Sequence, residues 1–292
     1  MSESNSQTSV FKHLMQILRR IGQNRKAVTG TLLILSVSLS GIFAPWLAPY
    51  DPIQIDPANG FKSPSSDHLL GTDFYGGDVL SRIIWGVRPS LAIGVSSVLL
   101  SCLIGTLIGF ITGYFTGWID HLLMRLMDIL LSFPIIVLAL AIVATIGGNL
   151  VNLVITISIL FIPRFSRIIR GEVLSLKEQD FVEAARAVGA SNFSILCKHI
   201  FPNSVHQIIV TATVFVSSAI LIESGLSFLG VGVVPPSPSL GNMLSEGRSN
   251  ILGAPWLTIF PGVMLMITLT GLNLLGDSLR DILDPRLHHR GS

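Results

Sequence analysis

Chemistry needs side chains that can hold a proton, a metal ion or a nucleotide, and in these 292 residues such side chains are scarce and scattered. Only one acidic residue, Glu223, falls well inside an apolar stretch. A carboxylate at the centre of a bilayer costs about 2.5 to 3.5 kcal/mol on insertion scales, so it must face protein or water and not lipid. Two uses follow: lining a translocation path or gate, or forming a protonated or hydrogen-bonded helix lock. Ser227 has no intramembrane base, because His13, His68, His121, His199, His206, His288 and His289 all lie in tails, loops or the ends of apolar stretches. Neither a serine protease nor, without an H-E-x-x-H helix, an intramembrane metalloprotease is expected. No G-x-x-x-x-G-K-[ST] segment is present to cradle nucleotide phosphates. Cys102 lies in an apolar run and Cys197 in a polar loop, so no disulfide is expected. The reading is a chain with no catalytic residues, no metal site and no cofactor of its own, whose energy comes from another chain or from an ion gradient.

The elements that must position these residues are set by composition. Charged residues make up 12% of the chain and apolar ones 50%, against about 25% charged in a soluble domain. This excludes a soluble globule and a disordered chain. A net charge of +2 does not point to nucleic acid. Long apolar windows predict six membrane spans: Val28 to Leu47, Leu91 to Tyr114, Leu122 to Ile146, Leu150 to Phe161 continuing towards Ile169, Ile208 to Leu229 and Trp256 to Leu275. Pro163, Arg164 and Arg167 interrupt the end of the fourth. The fold class is therefore an all-α integral membrane protein. With six spans, fifteen Lys and Arg fall on one side and only Lys62, Arg82, Arg88 and Arg248 on the other. The positive-inside rule then puts both ends in the cytoplasm. The first span is read as uncleaved, since Ser38-Leu39-Ser40 is a poor signal-peptide cleavage site.

The boundaries follow: a cytoplasmic tail over 1–27, a first span over 28–48, an extracytoplasmic segment over 49–88, five further spans over 89–282 and a cytoplasmic tail over 283–292. Within 49–88, Leu80, Ile83, Ile84 and Val87 share one helical face away from Asp78, Ser81 and Arg82, which predicts an interfacial helix on the outer surface. The second span carries Ser97, Ser101, Gly105, Gly109, Gly113 and Gly117, small residues that let backbones approach. A four-residue spacing drifts about 40° per step, so this row is expected to wind past more than one neighbour. Asp128 and Asn273, nearer span ends, are expected to be packing or capping groups.

The segment 172–202 is the most informative. Phe181, Ala184, Ala185 and Val188 form an apolar face beside Glu183 and Arg186. Gly189 suits a helix C-terminus, Ser191 a cap, and Phe193, Leu196, Cys197 and Ile200 a second apolar face ended by Pro202. Such a hairpin could fill a groove in another protein or lie on the inner leaflet.

These residues carry a family resemblance. Glu183-Ala184-Ala185, then Gly189 and a close at Pro202, resemble the EAA loop of permease subunits of bacterial ABC importers, with His-Ile-Phe-Pro-Asn as in the peptide and nickel branch. His68 to Asp73, Gly76, Asp78, Ser81-Arg82, Gly86, Arg88 and Ser90-Leu91 are similar to the signature before the second span of C-type dipeptide, oligopeptide and nickel permeases, with Gly77 in place of the usual Arg. Glu223 to Gly232, Pro235-Pro236, Gly241 to Leu244 and Asn273 to Arg286 agree with it, with Leu240 at a common Trp position. The resemblance implies a six-helix inner-membrane permease with a cytoplasmic coupling hairpin and a transmembrane core over 89–282. It further implies a paralogous permease partner, two ATPase subunits that hold ATP and Mg, and an extracytoplasmic binding protein. Phe181, Glu183, Ala184, Ala185, Arg186, Val188, Gly189, Phe193, Leu196 and Pro202 would meet the ATPase. The cargo would be dipeptides or oligopeptides, or alternatively nickel or another small solute. An ion-gradient carrier with Glu223 as its proton site is the reading of a different class.

Overall fold

The computed structural model describes residue 22 and residues 24–283; all but the first residue of the predicted tail over 283–292, and most of the tail over 1–27, lie outside them. The regular structure of the described residues is helical, with one isolated bridge pairing Thr72 with Asp78 and mostly irregular segments over 48–78 and 229–239. The principal helices are α1 (Arg25–Ile42), α2 (Val79–Tyr114), α3 (Trp118–Leu131), α4 (Ile135–Ile146), α5 (Leu150–Lys177), α6 (Asp180–Ala187), α7 (Asn192–Ile195), α8 (Phe201–Phe228), α9 (Leu240–Arg248) and α10 (Trp256–Leu283).

Helices α2, α5 and α10 and the continuous run Asn192–Phe228 are long and apolar enough to cross a membrane, and α3 with α4, bent by 92° across Ser132 to Pro134, supplies a fifth if the pair is one broken span. Helix α1 is outside that set: its 18 residues include Arg25 and Lys26, and the chain breaks at Phe43 before a short turn at Ala44–Leu47. Asn24 caps α1 by accepting from the Lys26 and Ala27 amides. The helix then packs on α10 so closely that a Cβ on Gly30 would lie 2.8 Å from the Leu275 nitrogen.

Three expectations are corrected here. Residues 79–88 are not a separate surface helix but the first ten residues of α2, which runs through Pro89 for 36 residues, so the boundary at 88/89 falls inside a helix. Both faces of this end are covered, because Ser81 and Arg82 are buried as well as Ile83, Ile84 and Val87. The segment 48–78 folds over the polar face: Asp78 caps α2 through the Ser81 amide, the Ser81 hydroxyl accepts from the Tyr50 amide, and Arg82 pairs with Asp73 and with Glu246 of α9. An amphipathic pattern alone does not distinguish a polar face turned to water from one matched by buried carboxylates.

The second correction concerns the small-residue row. Cβ atoms on Gly105, Gly109 and Gly113 would meet Phe165, Ile169 and Val173 at 2.5, 2.9 and 2.7 Å, all on α5, and the Ser97 carbonyl accepts from Ser158 of α5 at 3.1 Å. One neighbour takes four of the six positions, Ser97, Gly105, Gly109 and Gly113, while Gly117 lies beyond the end of α2 and would meet nothing within 4 Å. Residues four apart form a ridge inclined to the helix axis, and a partner crossing at that inclination follows the ridge instead of losing it.

The fourth apolar window is also uninterrupted, for α5 continues through Pro163, Arg164 and Arg167 to Lys177. Between α2, α4, α5 and α8 lies a core of Ile93, Ala139, Ile157, Phe161, Phe165 and Leu226. A second cluster fills the end covered by segment 48–78, and a third, with Tyr114, Ile169, Val173, Val182, Ala185, Ile195 and Ile200, anchors the hairpin.

Candidate coupling surface and buried carboxylate

The hairpin is built from its turn. Helix α6 ends with Ala190 N–H donating to the Ala185 carbonyl and Gly189 N–H to the Arg186 carbonyl, the crossed pair of bonds that a left-handed residue permits. Gly189 is that residue, with φ +82°, and space is open around its Cα. Ser191 then caps α7 by accepting from the Ser194 amide at 3.3 Å.

The side chains divide into two sets. Val182, Ala185, Ile195 and Ile200 turn inward and pack on Ile169 and Val173 of α5 and on Tyr114 of α2. Val188 and Phe193 point away, 84% and 77% exposed, with Phe181 at 39%. Glu183, Ala184 and Arg186 are exposed too. Of the residues expected on the outer face, Ala185 faces inward and Leu196 is half-buried against the hairpin core. The i, i+3, i+4, i+7 spacing grouped Ala185 with Phe181, Ala184 and Val188, which are exposed as expected; packing on α5 takes Ala185 inward together with Val182.

Pro202 does not terminate the second arm. The backbone passes through one π turn, Leu196–Ile200, with Phe201 N–H donating to the Leu196 carbonyl, and enters α8 directly. Proline in the first turn of a helix loses little, since its missing N–H would go unpaired there, and the π turn absorbs the change of register. The arm and the span are one 37-residue rod.

Tyr114 and Asn192 join this rod to the bundle. The Tyr114 hydroxyl donates to Asn192 Oδ1 at 2.7 Å, its carbonyl accepts from Lys177 Nζ at 2.8 Å, and its ring lies under the Lys177 ammonium and the Arg186 guanidinium. Nearby, Arg170 of α5 forms a two-pronged pair with Asp120 of α3, at 2.7 and 2.6 Å. Sequence reasoning passed over Tyr114 and Asn192; an aromatic at the end of a span gives no sign of a hydroxyl aimed at a residue 78 positions away.

Glu223, at the other end of the rod, is fully buried. The Ser227 hydroxyl donates to its Oε1 at 2.8 Å and Ser224 to its Oε2 at 3.4 Å, while the buried Ser90 hydroxyl of α2 lies beside the carboxyl but outside hydrogen-bonding geometry. Ser227 also accepts from the Val233 amide, and Asn242 of α9 donates to the Val233 carbonyl at 2.7 Å. A Cβ on Gly241 would meet Ser227 Cβ at 2.6 Å, so α9 rests directly on this turn of α8. Asn273 of α10 accepts from Ser217 of α8 at 2.7 Å, and exposed Asp128 pairs with Arg167 at 2.6 Å.

Long apolar helices bundled with a protruding helical hairpin define an integral-membrane architecture. Residues 105–289 match the family described as binding-protein-dependent transport system inner membrane component, and residues 14–64 match the N-terminal TM domain of oligopeptide transport permease C. The chain is 43% identical over 272 residues to the dipeptide transport system permease protein DppC of Alkalihalophilus pseudofirmus, covering 93% of this chain and 90% of that protein. It is likewise 43% identical over 270 residues to the glutathione transport system permease protein GsiD of Escherichia coli, covering 92% and 89%. Among solved structures, two inward-facing conformations of the MetNI methionine ABC transporter share the fold, with TM-scores of 0.59 and 0.56 at 19% and 20% identity, covering 69% and 70% of this chain and 96% and 97% of theirs. The chain belongs to the binding-protein-dependent transport system inner membrane component family. It is an ABC importer permease, a non-catalytic membrane component.

Proposed function

We propose that this chain is one of two permease subunits of an ATP-driven importer of peptide-type cargo, paired with a paralogous permease, coupled to two ATPase subunits and fed by an extracytoplasmic binding protein. The names of its relatives, a dipeptide and a glutathione permease, support small peptides as cargo. In this reading α1 is the sixth span, both chain ends are cytoplasmic, and ATP and Mg are held by the ATPases.

The observation that carries the reading is the outward set of the hairpin. Exposed Val188, Phe193 and Phe181 form an apolar knob on a rigid arm, flanked by exposed Glu183 and Arg186. Apolar anchors with polar neighbours suit a groove in a partner protein. The ATPases close on ATP, the knob follows, and the arm passes the displacement to α8 without an intervening hinge. At the far end of α8, Glu223 acts as a lock, holding α9 and the loop 229–239 to that helix so that they move with it. Sealed among serines, this carboxyl gives the ion-gradient reading no accessible proton site.

The test is purification and reconstitution. The chain should bring ATPase subunits with it, and vesicles holding the assembled transporter should accumulate a dipeptide only with ATP. Gly189→Val places a β-branched residue in left-handed backbone, at a cost of about 1 to 2 kcal/mol; it should abolish uptake while the subunit still inserts. Uptake without any ATPase, or normal uptake by Gly189→Val, refutes the proposal.

A further inference from the structure

Arg164 stands out among the three arginines of α5. Arg167 pairs with Asp128 and Arg170 with Asp120, whereas Arg164, furthest from the Lys177 end, makes no ion pair among the described residues. It is placed near the helix midpoint, roughly 21 Å from Leu150 and 20 Å from Lys177 at 1.5 Å per residue. Among the described residues its charge is met only by the Phe161 ring, 5.6 Å from the guanidinium carbon, on a helix long and apolar enough to cross a membrane. Such residues face a bundle interior or a water-filled cavity, where they meet what passes.

The surroundings give the same answer independently. Arg164 lines a cavity of about 120 Å³ whose other walls are Leu130, Leu131, Phe133, Ile135, Leu138 and Leu160. This is the inner corner of the 92° elbow between α3 and α4. Ser132, Phe133 and Pro134 of the elbow are exposed and outside the helices. Non-helical backbone at membrane depth is tolerated only when covered by protein or lining water. Helix α4 also starts here without a side-chain cap, as Pro134 has none to offer, so its first amides add partial positive charge.

A guanidinium and an uncapped helix start in an apolar corner form a receptor for an oxyanion on a small aliphatic body. We infer that Arg164 and the α3–α4 elbow hold a carboxylate of the cargo during its passage. The corner has room for that group and the carbon bearing it, so it is a way-station and not a site enclosing a whole peptide. The inference rests on the permease reading above.

The test uses the complete transporter in vesicles, with radiolabelled dialanine as probe and the binding protein saturated. Arg164→Gln should cut uptake per ATP hydrolysed by at least ~10-fold, the factor carried by one charge-assisted hydrogen bond. Its binding-protein-stimulated hydrolysis should stay within about twofold of the parent, and Arg164→Lys should recover most of the uptake. Dialanine amide at saturation should reproduce the loss in the parent protein, a measurement that needs no variant. Unchanged uptake by Arg164→Gln, loss of hydrolysis in step with uptake, or equal handling of acid and amide overturns the inference. So does a parent that loses uptake equally when anionic phospholipid is withdrawn, for the ligand is then a headgroup phosphate. A parent that takes up nothing with ATP refutes the permease reading itself, not this site.

Discussion

Gly109 lies where α2 presses on α5, and adding one methyl group there has a calculable effect. The Cβ of Gly109→Ala would stand 2.9 Å from Ile169 Cβ, 2.9 Å from the Ser166 carbonyl oxygen and 3.1 Å from the Arg170 nitrogen. Carbon contacts settle at about 3.5 to 4.0 Å, so the helices must part by roughly 0.6 to 1.1 Å. A gap of that size forfeits about a quarter to a half of each dispersion well. The loss spreads to Gly105 and Gly113, whose contacts with Phe165 and Val173 share the ridge. Overpacking of this kind costs about 1 to 3 kcal/mol, against a gain of up to ~1 kcal/mol from alanine over glycine inside a helix. A control is available on the facing helix: a Cβ on Gly171 would touch nothing within 4 Å. In thermal unfolding of the detergent-purified transporter, Gly109→Ala should melt roughly 2 to 8 °C lower, and Gly171→Ala no lower than the parent. Equal stability of Gly109→Ala and the parent, or an equal drop in Gly171→Ala, would show that close approach of α2 and α5 is not what the small-residue row provides.

Two more expectations concern the ends of the rod. Tyr114→Phe removes the hydroxyl that holds Asn192 but keeps the ring, so the variant should assemble and hydrolyse ATP while moving less cargo per ATP; an unchanged ratio in vesicles would remove Tyr114 from the coupling path. Glu223→Gln keeps an acceptor for the Ser227 hydroxyl and should retain uptake, whereas Glu223→Ala leaves buried hydroxyls unpaired beside a cavity and should lower stability by about 2 to 5 kcal/mol. Abolished uptake by Glu223→Gln with unchanged stability would instead make the carboxyl a proton site.

The amino-acid sequence by itself determined the membrane class, the turn at Gly189 with its cap at Ser191, and the family. Each of these depends on local composition or on residues a few positions apart, and such patterns persist without a neighbour. Only the tertiary structure decided that Ala185 packs inward together with Val182, that four of the six small residues in the row drifting around α2 meet one partner, and that the polar face before Pro89 is covered by Asp73 and Glu246. It likewise decided that α5 carries Arg164 unbroken to its midpoint, a place the sequence marks only as the end of an apolar window. Each of these outcomes turns on which surface comes to lie against which, and helix rotation and crossing are settled by side chains far apart along the chain.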